Sequence, residues 1–285
     1  MEYLQNKFGK KLDKCILCSS EKIYHYHTDF NGIDIFRCKN CGVQFMNPQY
    51  SDVYLSEYYS GYSVDEPQWE EPLLYCHDYY LSLIEKYVNK GNLLDVGSGK
   101  GYMLAAAKKR GWEAAGYDVD EKWNEKLSRK LDVEIKSGNF LELEWKTEFN
   151  AVVMHHVIEH LKNPLLYIRK IYELLKKDGV LFLALPNINS RSAVFKRTLE
   201  KMGIRKKNTG AYYDTGHHMF YFTPGSLRIL LEHNGYEVLT TKSGHAARPN
   251  QTALKRSFMR NISDRLLWKS TFLMICRKKE LFTAI

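Results

Sequence analysis

Three groups of side chains have types and spacings suited to chemistry. Cys15-x2-Cys18 and Cys38-x2-Cys41 are two cysteine pairs separated by nineteen residues. Two intervening residues let both thiolates of a pair reach one tetrahedral ion at about 2.3 Å. Two such pairs at this separation form a zinc pattern. Four thiolates leave no open coordination position, so the ion is expected to be structural. The second group is Leu94-Asp95-Val96-Gly97-Ser98-Gly99-Lys100-Gly101, followed at once by Met103, Leu104 and Ala105 to Ala107. Strand, glycine turn and helix in succession bring backbone close to a nucleotide cofactor. A dinucleotide fingerprint needs glycine at position 102, which is Tyr, and no G-x-x-x-x-G-K-[ST] is present. The third group is His155, His156, Glu159 and His160, joined later in the chain by His217 and His218. Imidazoles and a carboxylate of this kind move protons or bind a divalent ion.

The elements that would position these groups alternate. Leu93–Val96, 113–119, Val133–Lys136, Phe149–Met154 and Val180–Leu185 read as strands, and 101–110, 123–131 and 164–177 as helices. This predicts an α/β, Rossmann-like, mostly parallel sheet with helices on both faces. Thr223–Asn234 reads as a further helix with Pro224 at its first position, and 236–241 and 271–277 as the last strands. A helix beginning near His156 would put positions 156, 159 and 160 on one face. Residues 1–48 are assigned to a zinc ribbon and 49–90 to a Tyr-rich connector with a helix over 72–89. Residues 91–285 are assigned to the main domain, with an insertion over 187–218.

The D-x-G-x-G-x-G string resembles motif I of the class I S-adenosylmethionine (SAM) methyltransferases. That resemblance implies a seven-stranded sheet with an antiparallel last strand. It implies cofactor contacts from Asp95, Gly97, Gly99, Gly101, Asp118, Asn139, Phe140 and His155. Asp118 would take the ribose hydroxyls, Asn139 and Phe140 the adenine, and His155 the methionyl side. His156-Val157-Ile158-Glu159-His160-Leu161, Pro186-Asn187 and His218 to Thr223 are similar to small-molecule O-methyltransferases related to the ubiquinone-pathway enzymes. An N-terminal cysteine ribbon with a Tyr-rich connector also resembles sugar methyltransferases. The resemblance makes His156, Glu159, His160 and His218 the catalytic candidates. His156-x-x-Glu159-His160 with His218 is similar to an E-x-x-E-H metal motif of some methyltransferases, with His156 replacing the first Glu. A second divalent ion there would be softer than Mg²⁺; the alternative is metal-free acid–base chemistry.

The chain carries a net charge of +9 over 285 residues. Its basic residues are spread out, with clusters at Arg205-Lys206-Lys207 and over 255–279. Arg191, Lys196, Arg197, Tyr212 and Tyr213 in the insertion suit an anionic small-molecule acceptor such as a nucleotide-linked sugar. RNA is the alternative acceptor, with the ribbon as its reader. The polar N-terminus and the lack of a long apolar run predict a soluble, cytoplasmic protein with no membrane span. Oligomeric state is left open.

Overall fold

The computed structural model describes residues 7–29, 31–60, 71–204, 213–244 and 266–279. Strands β1 (Ile23–Thr28), β2 (Asp34–Cys38) and β3 (Gln44–Met46) come first, then helices α1 (Asp52–Ser60) and α2 (Glu71–Ile84). The alternating part runs β4 (Asn92–Val96), α3 (Tyr102–Lys109), β5 (Glu113–Tyr117), α4 (Glu121–Leu131), β6 (Glu134–Lys136) and β7 (Phe149–His155). A single 3₁₀ turn (Ile158–His160), α5 (Pro164–Leu174), β8 (Leu175–Pro186) and α6 (Arg191–Lys201) follow. Strand β9 (Phe220–Tyr221), α7 (Pro224–Glu232), β10 (Tyr236–Ser243) and β11 (Thr271–Lys278) complete the described elements.

The large sheet has the order β10-β11-β8-β7-β4-β5-β6. Strands β4 to β8 pair in parallel, and β11 is antiparallel to both β8 and β10. The expected Rossmann-like sheet with an antiparallel last strand is therefore present. Both of its faces are covered, as parallel strands require. Leu93, Ala151, Val153 and Phe182 pack with Tyr80, Leu81 and Met103 of α2 and α3. Their sequence neighbours Leu94, Val152, Met154 and Leu183 point to the other face, with Ile168 of α5 and Leu227 of α7. That second face also takes in Ile35, Phe45 and Met46 of the ribbon. Helix α2 is anchored at its end. Glu85 accepts from Arg110 and from Trp112 Nε1 (3.1 Å), and Arg110 holds its carboxyl below the usual range.

Three local expectations differ from the structure. The Tyr-rich connector contains α1, because Ser51 caps it (Tyr54 N to Ser51 Oγ, 3.1 Å) and the rings of tyrosines 50, 54 and 58 pack in succession at helical spacing. Helix α5 stops at Leu174, not 177: Leu175 turns extended and is fully buried against Phe149 as the first residue of β8. The segment after β7 is not a helix carrying His156. Only a 3₁₀ turn forms, and His156 precedes it in the left-handed region (φ 56°). One strand that the sequence pattern did not mark, β9, lies outside the large sheet. It pairs antiparallel with β3, giving the ribbon a four-stranded sheet in the order β1-β2-β3-β9.

Candidate active site and cysteine centre

The glycine turn leaves β4 at the carboxyl end of the sheet, beside the ends of β5 and β7. Gly97, Gly99 and Gly101 all have positive φ, which side chains with a Cβ rarely adopt. A Cβ on Gly97 would stand 2.4 Å from Val157 Cγ2, so the turn and the segment after β7 interlock. A Cβ on Gly99 would meet nothing within 4 Å, so space lies open above the turn. Gly97→Ala should lose about 1–3 kcal/mol of stability through strain and overpacking. A denaturant titration checks this, together with weaker S-adenosylhomocysteine binding by calorimetry.

Asp118, just past β5, accepts from Gly99 N through Oδ2 (2.8 Å) and so grips the turn. Trp123 Nε1 donates to Gly99 O at 2.7 Å and fixes the same loop from α4. Asp95 is only 3% exposed. Burial, with Asp118 adding, pushes its carboxyl up to about 8. Ser98 Oγ is buried without a partner. A buried carboxyl, an orphaned hydroxyl and an open glycine cradle fit the amine, carboxylate and sulfonium of S-adenosylmethionine. Two expected adenine contacts lie apart from each other. Asn139 is exposed and its amide donates to Glu142 Oε1 (2.7 Å). Phe140 is fully buried, stacked on Tyr167 at 5.1 Å and tilted against Tyr117 at 4.9 Å, so its ring braces β5 and α5.

His155 ends β7 among rings that sequence reasoning missed. His77 and Tyr80 of α2 each stand 5.3 Å from its ring, and His77 stacks on Tyr102 at 5.8 Å. The i, i+3 spacing of His77 and Tyr80 was the available signal. Burial drives His155 down to about 3, so it stays neutral. The next residue, His156, has a side chain 43% exposed and pairs through Nδ1 with Oε1 of Glu159 at 3.1 Å, whose side chain is 2% exposed. An ionised carboxylate only accepts, so in this contact Nδ1 is the donor and Nε2 is left out of the pair. The second oxygen of Glu159, Oε2, is buried without a partner.

His160, His217 and His218 converge, with ligand atoms within 4.8 Å of one another. The rings of His160 and His217 lie parallel at 4.9 Å. Burial lowers both His160 and His218 to about 4, so both are neutral at pH 7. The structure thus divides the catalytic candidates in two. His156 belongs with Glu159, whereas His160 and His218 belong with His217. In the insertion, Arg197 is buried, donating to Ile188 O (2.6 Å) and Asn189 Oδ1 (3.0 Å), and so braces a loop. Arg205, Lys206, Lys207 and Tyr212 lie outside the described residues, as do Lys255, Arg256, Arg260 and Arg265 of the basic C-terminal cluster.

The four ribbon cysteines also converge. Cys15 Sγ is 3.7 Å from Cys41 Sγ, and Cys18 Sγ is 3.6 Å from Cys38 Sγ. The edge of a tetrahedron of sulfurs about a zinc ion is about 3.8 Å at a 2.3 Å bond length. The cysteines are free thiols. A hydrogen bond from Cys41 pulls Cys15 down to about 6 against its burial, with the backbone amides of Cys18 and Leu17 assisting. The donor set fits a structural zinc ion. Of the other two cysteines, Cys276 is fully buried in β11, as expected of a small core residue.

No helix among the described residues is long and apolar enough to cross a membrane. The model of a family described as "Methyltransferase domain" matches residues 70–241. Two curated proteins are similar over shorter stretches. The ubiquinone biosynthesis O-methyltransferase of Pelagibacter ubique is 27% identical over 124 residues, 41% of this chain and 51% of that protein. The protein of the same name from Dechloromonas aromatica is 33% identical over 110 residues, 36% of this chain and 47% of that protein. The chain thus spans about half the length of these relatives. A solved structure from Listeria monocytogenes, described as a candidate S-adenosylmethionine-dependent methyltransferase, superposes with a TM-score of 0.50 at 16% identity, covering 74% of this chain and 100% of its own. The chain therefore belongs to the methyltransferase-domain family, with the Rossmann-like fold of the S-adenosylmethionine-dependent methyltransferases.

Proposed function

We propose that the chain methylates a hydroxyl of a small biosynthetic intermediate, using S-adenosylmethionine held at the glycine turn and His156 as the base. The observation that carries this reading is the His156–Glu159 pair. An accessible imidazole is oriented by a buried carboxylate at the end of β7, in contact with the turn through Val157. Bound S-adenosylmethionine supplies an electrophilic methyl group on a sulfonium. Gly99 leaves the space, with Asp118 on the turn beside it and the buried carboxyl of Asp95, raised to about 8 in the cofactor-free chain, below. His156 takes the acceptor proton on Nε2, and Glu159 stabilises the imidazolium through Nδ1. His155, Tyr80 and His77 wall off water on the α2 side. The curated relatives' names support a small-molecule hydroxyl acceptor. A sugar or nucleotide-linked sugar is the finer reading, supported by aromatic and basic residues of the insertion.

The test is transfer of a labelled methyl group to a panel of phenols, sugars and nucleotide sugars. Mass mapping of the product should place the label on oxygen. A chain that binds no S-adenosylhomocysteine, or a product methylated on nitrogen or carbon, refutes the proposal.

The convergence of His160, His217 and His218 favours one second reading, in which the three would hold a divalent ion that would supply Lewis-acid chemistry to the acceptor. A set of three imidazoles suits Zn²⁺, Mn²⁺ or Fe²⁺ better than Mg²⁺. Metal analysis separates the readings. The base mechanism expects one ion per chain, in the ribbon, and transfer that survives a weak chelator. Two ions, with transfer lost on removal of the weaker, establish the metal mechanism.

A further inference from the structure

Residues 213–222 carry His217 and His218. Beside one contact to Ile188 (its N donating to Phe222 O, 3.2 Å), the segment is anchored on both sides of that pair to residues 27–50. Before the pair, Tyr213 OH donates to Gln44 Oε1, and its ring stacks on His27 at 5.2 Å. Thr215 Oγ1 donates to Asp29 Oδ2 and accepts from Asn31 Nδ2 (3.3 Å), and Tyr50 OH donates to Thr215 O. After the pair, Met46 N donates to Met219 O (2.9 Å), and β9 pairs with β3 through Phe220–Phe45 and Tyr221–Gln44. Asp29, Gln44, Tyr50, Tyr213 and Thr215 are buried. Met219 N in turn donates to Glu159 O (2.8 Å), so the same segment touches the His156–Glu159 pair. The turn that joins β2 to β3 is itself the second cysteine knuckle, with Cys38 N donating to Val43 O at 3.0 Å.

We propose that the metal-loaded ribbon positions the acceptor-side histidines, with Gln44, Asp29 and Thr215 as positioning residues. The inference rests on reading His217 and His218 as part of the acceptor site. A metal ion fixes Cys38 and Cys41, these fix β3, and β3 fixes β9 and the two histidines. Cofactor binding is independent of this chain of contacts, because the glycine turn is held by β5, α4 and Val157.

Hydrogen exchange on the full chain tests the coupling before and after metal removal with a strong chelator. Amides over 213–222 should exchange about a hundredfold faster once the knuckles open, while β4 and β7 keep their protection. Unchanged exchange over 213–222 with an open ribbon overturns the proposal, and so does uniform loss of protection over β4 and β7. A second arm leaves the metal in place. In Thr215→Val, the ring-current-shifted imidazole signals of His217 and His218 should move toward their free positions at unchanged metal content. Thr215→Ser, which keeps the hydroxyl, should restore them. Signals unmoved in Thr215→Val overturn the proposal, as does loss of S-adenosylhomocysteine binding in that variant, which would place its defect in the cofactor site. Wild-type chain that fails to bind S-adenosylhomocysteine refutes the functional reading itself, and that result is read independently of the exchange data.

Discussion

Replacing His156 by asparagine should lower methyl transfer about a hundred- to ten-thousand-fold, the range of a lost general base, with the Kd for S-adenosylhomocysteine unchanged. Asparagine is the informative choice. His156 sits at φ 56°, and asparagine is among the residues that best tolerate the left-handed region. The variant therefore removes the ring and leaves the backbone unstrained. His156→Val would confound the two, because a β-branched residue is strained there. Glu159→Gln should cost less than His156→Asn, since its side-chain oxygen still accepts from Nδ1 but no longer offers a charge to the imidazolium. Steady-state kinetics on the acceptor found by the panel read both losses in kcat. A His156→Asn chain with wild-type kcat would eliminate this residue as the base.

Asp95→Asn should stabilise the cofactor-free chain at pH 8 and weaken its cofactor binding. An ordinary aspartate titrates near 4 in an unfolded chain, whereas Asp95 in the fold is pushed up to about 8 by burial and then by Asp118. A carboxyl raised in this direction costs nothing below the unfolded value. Its penalty grows as pH climbs from about 4 and levels off above about 8. Four units correspond to roughly 5 kcal/mol as an upper bound. Asparagine carries no such penalty. Its Tm should match wild type at pH 4 and exceed it by several degrees at pH 8. The cofactor amine needs the carboxylate, so wild-type affinity should rise with pH up to about 8. The asparagine variant should be weaker and should lack that rise. A Tm gain that is the same at both pH values would refute this account.

The glycine turn, the alternation of strands and helices and the convergence of the four cysteines were legible in the sequence, because each is written in local spacing. Near-continuous apolar runs such as Leu93 to Val96 suit strands buried on both faces. A C-x2-C pair can hardly do other than present two thiolates together. What was not legible depends on distant partners or on backbone choice. His156, Glu159 and His160 have helical spacing, yet the segment leaves β7 through a left-handed residue. That residue sends His156 to Glu159 and leaves His160 to meet a pair nearly sixty residues later. Phe140 was expected at the adenine, but its aromatic character serves a core stack with Tyr167 and Tyr117. Arg197 was read as a charge for the acceptor, and two carbonyl oxygens consume it.

Strand β9 is two residues long, and it is the outer strand of the ribbon's sheet. A ribosome has already released β3 when it has more than 170 residues still to add before β9 exists. Until then β3 presents an open edge of unpaired amides and carbonyls, the kind that pairs with other chains. The same exposure would follow from cutting the ribbon away as a separate fragment. A ribbon excised at residue 48 should therefore bind its ion and still self-associate. Supplying residues 213–222 in trans is the natural way to keep it monomeric.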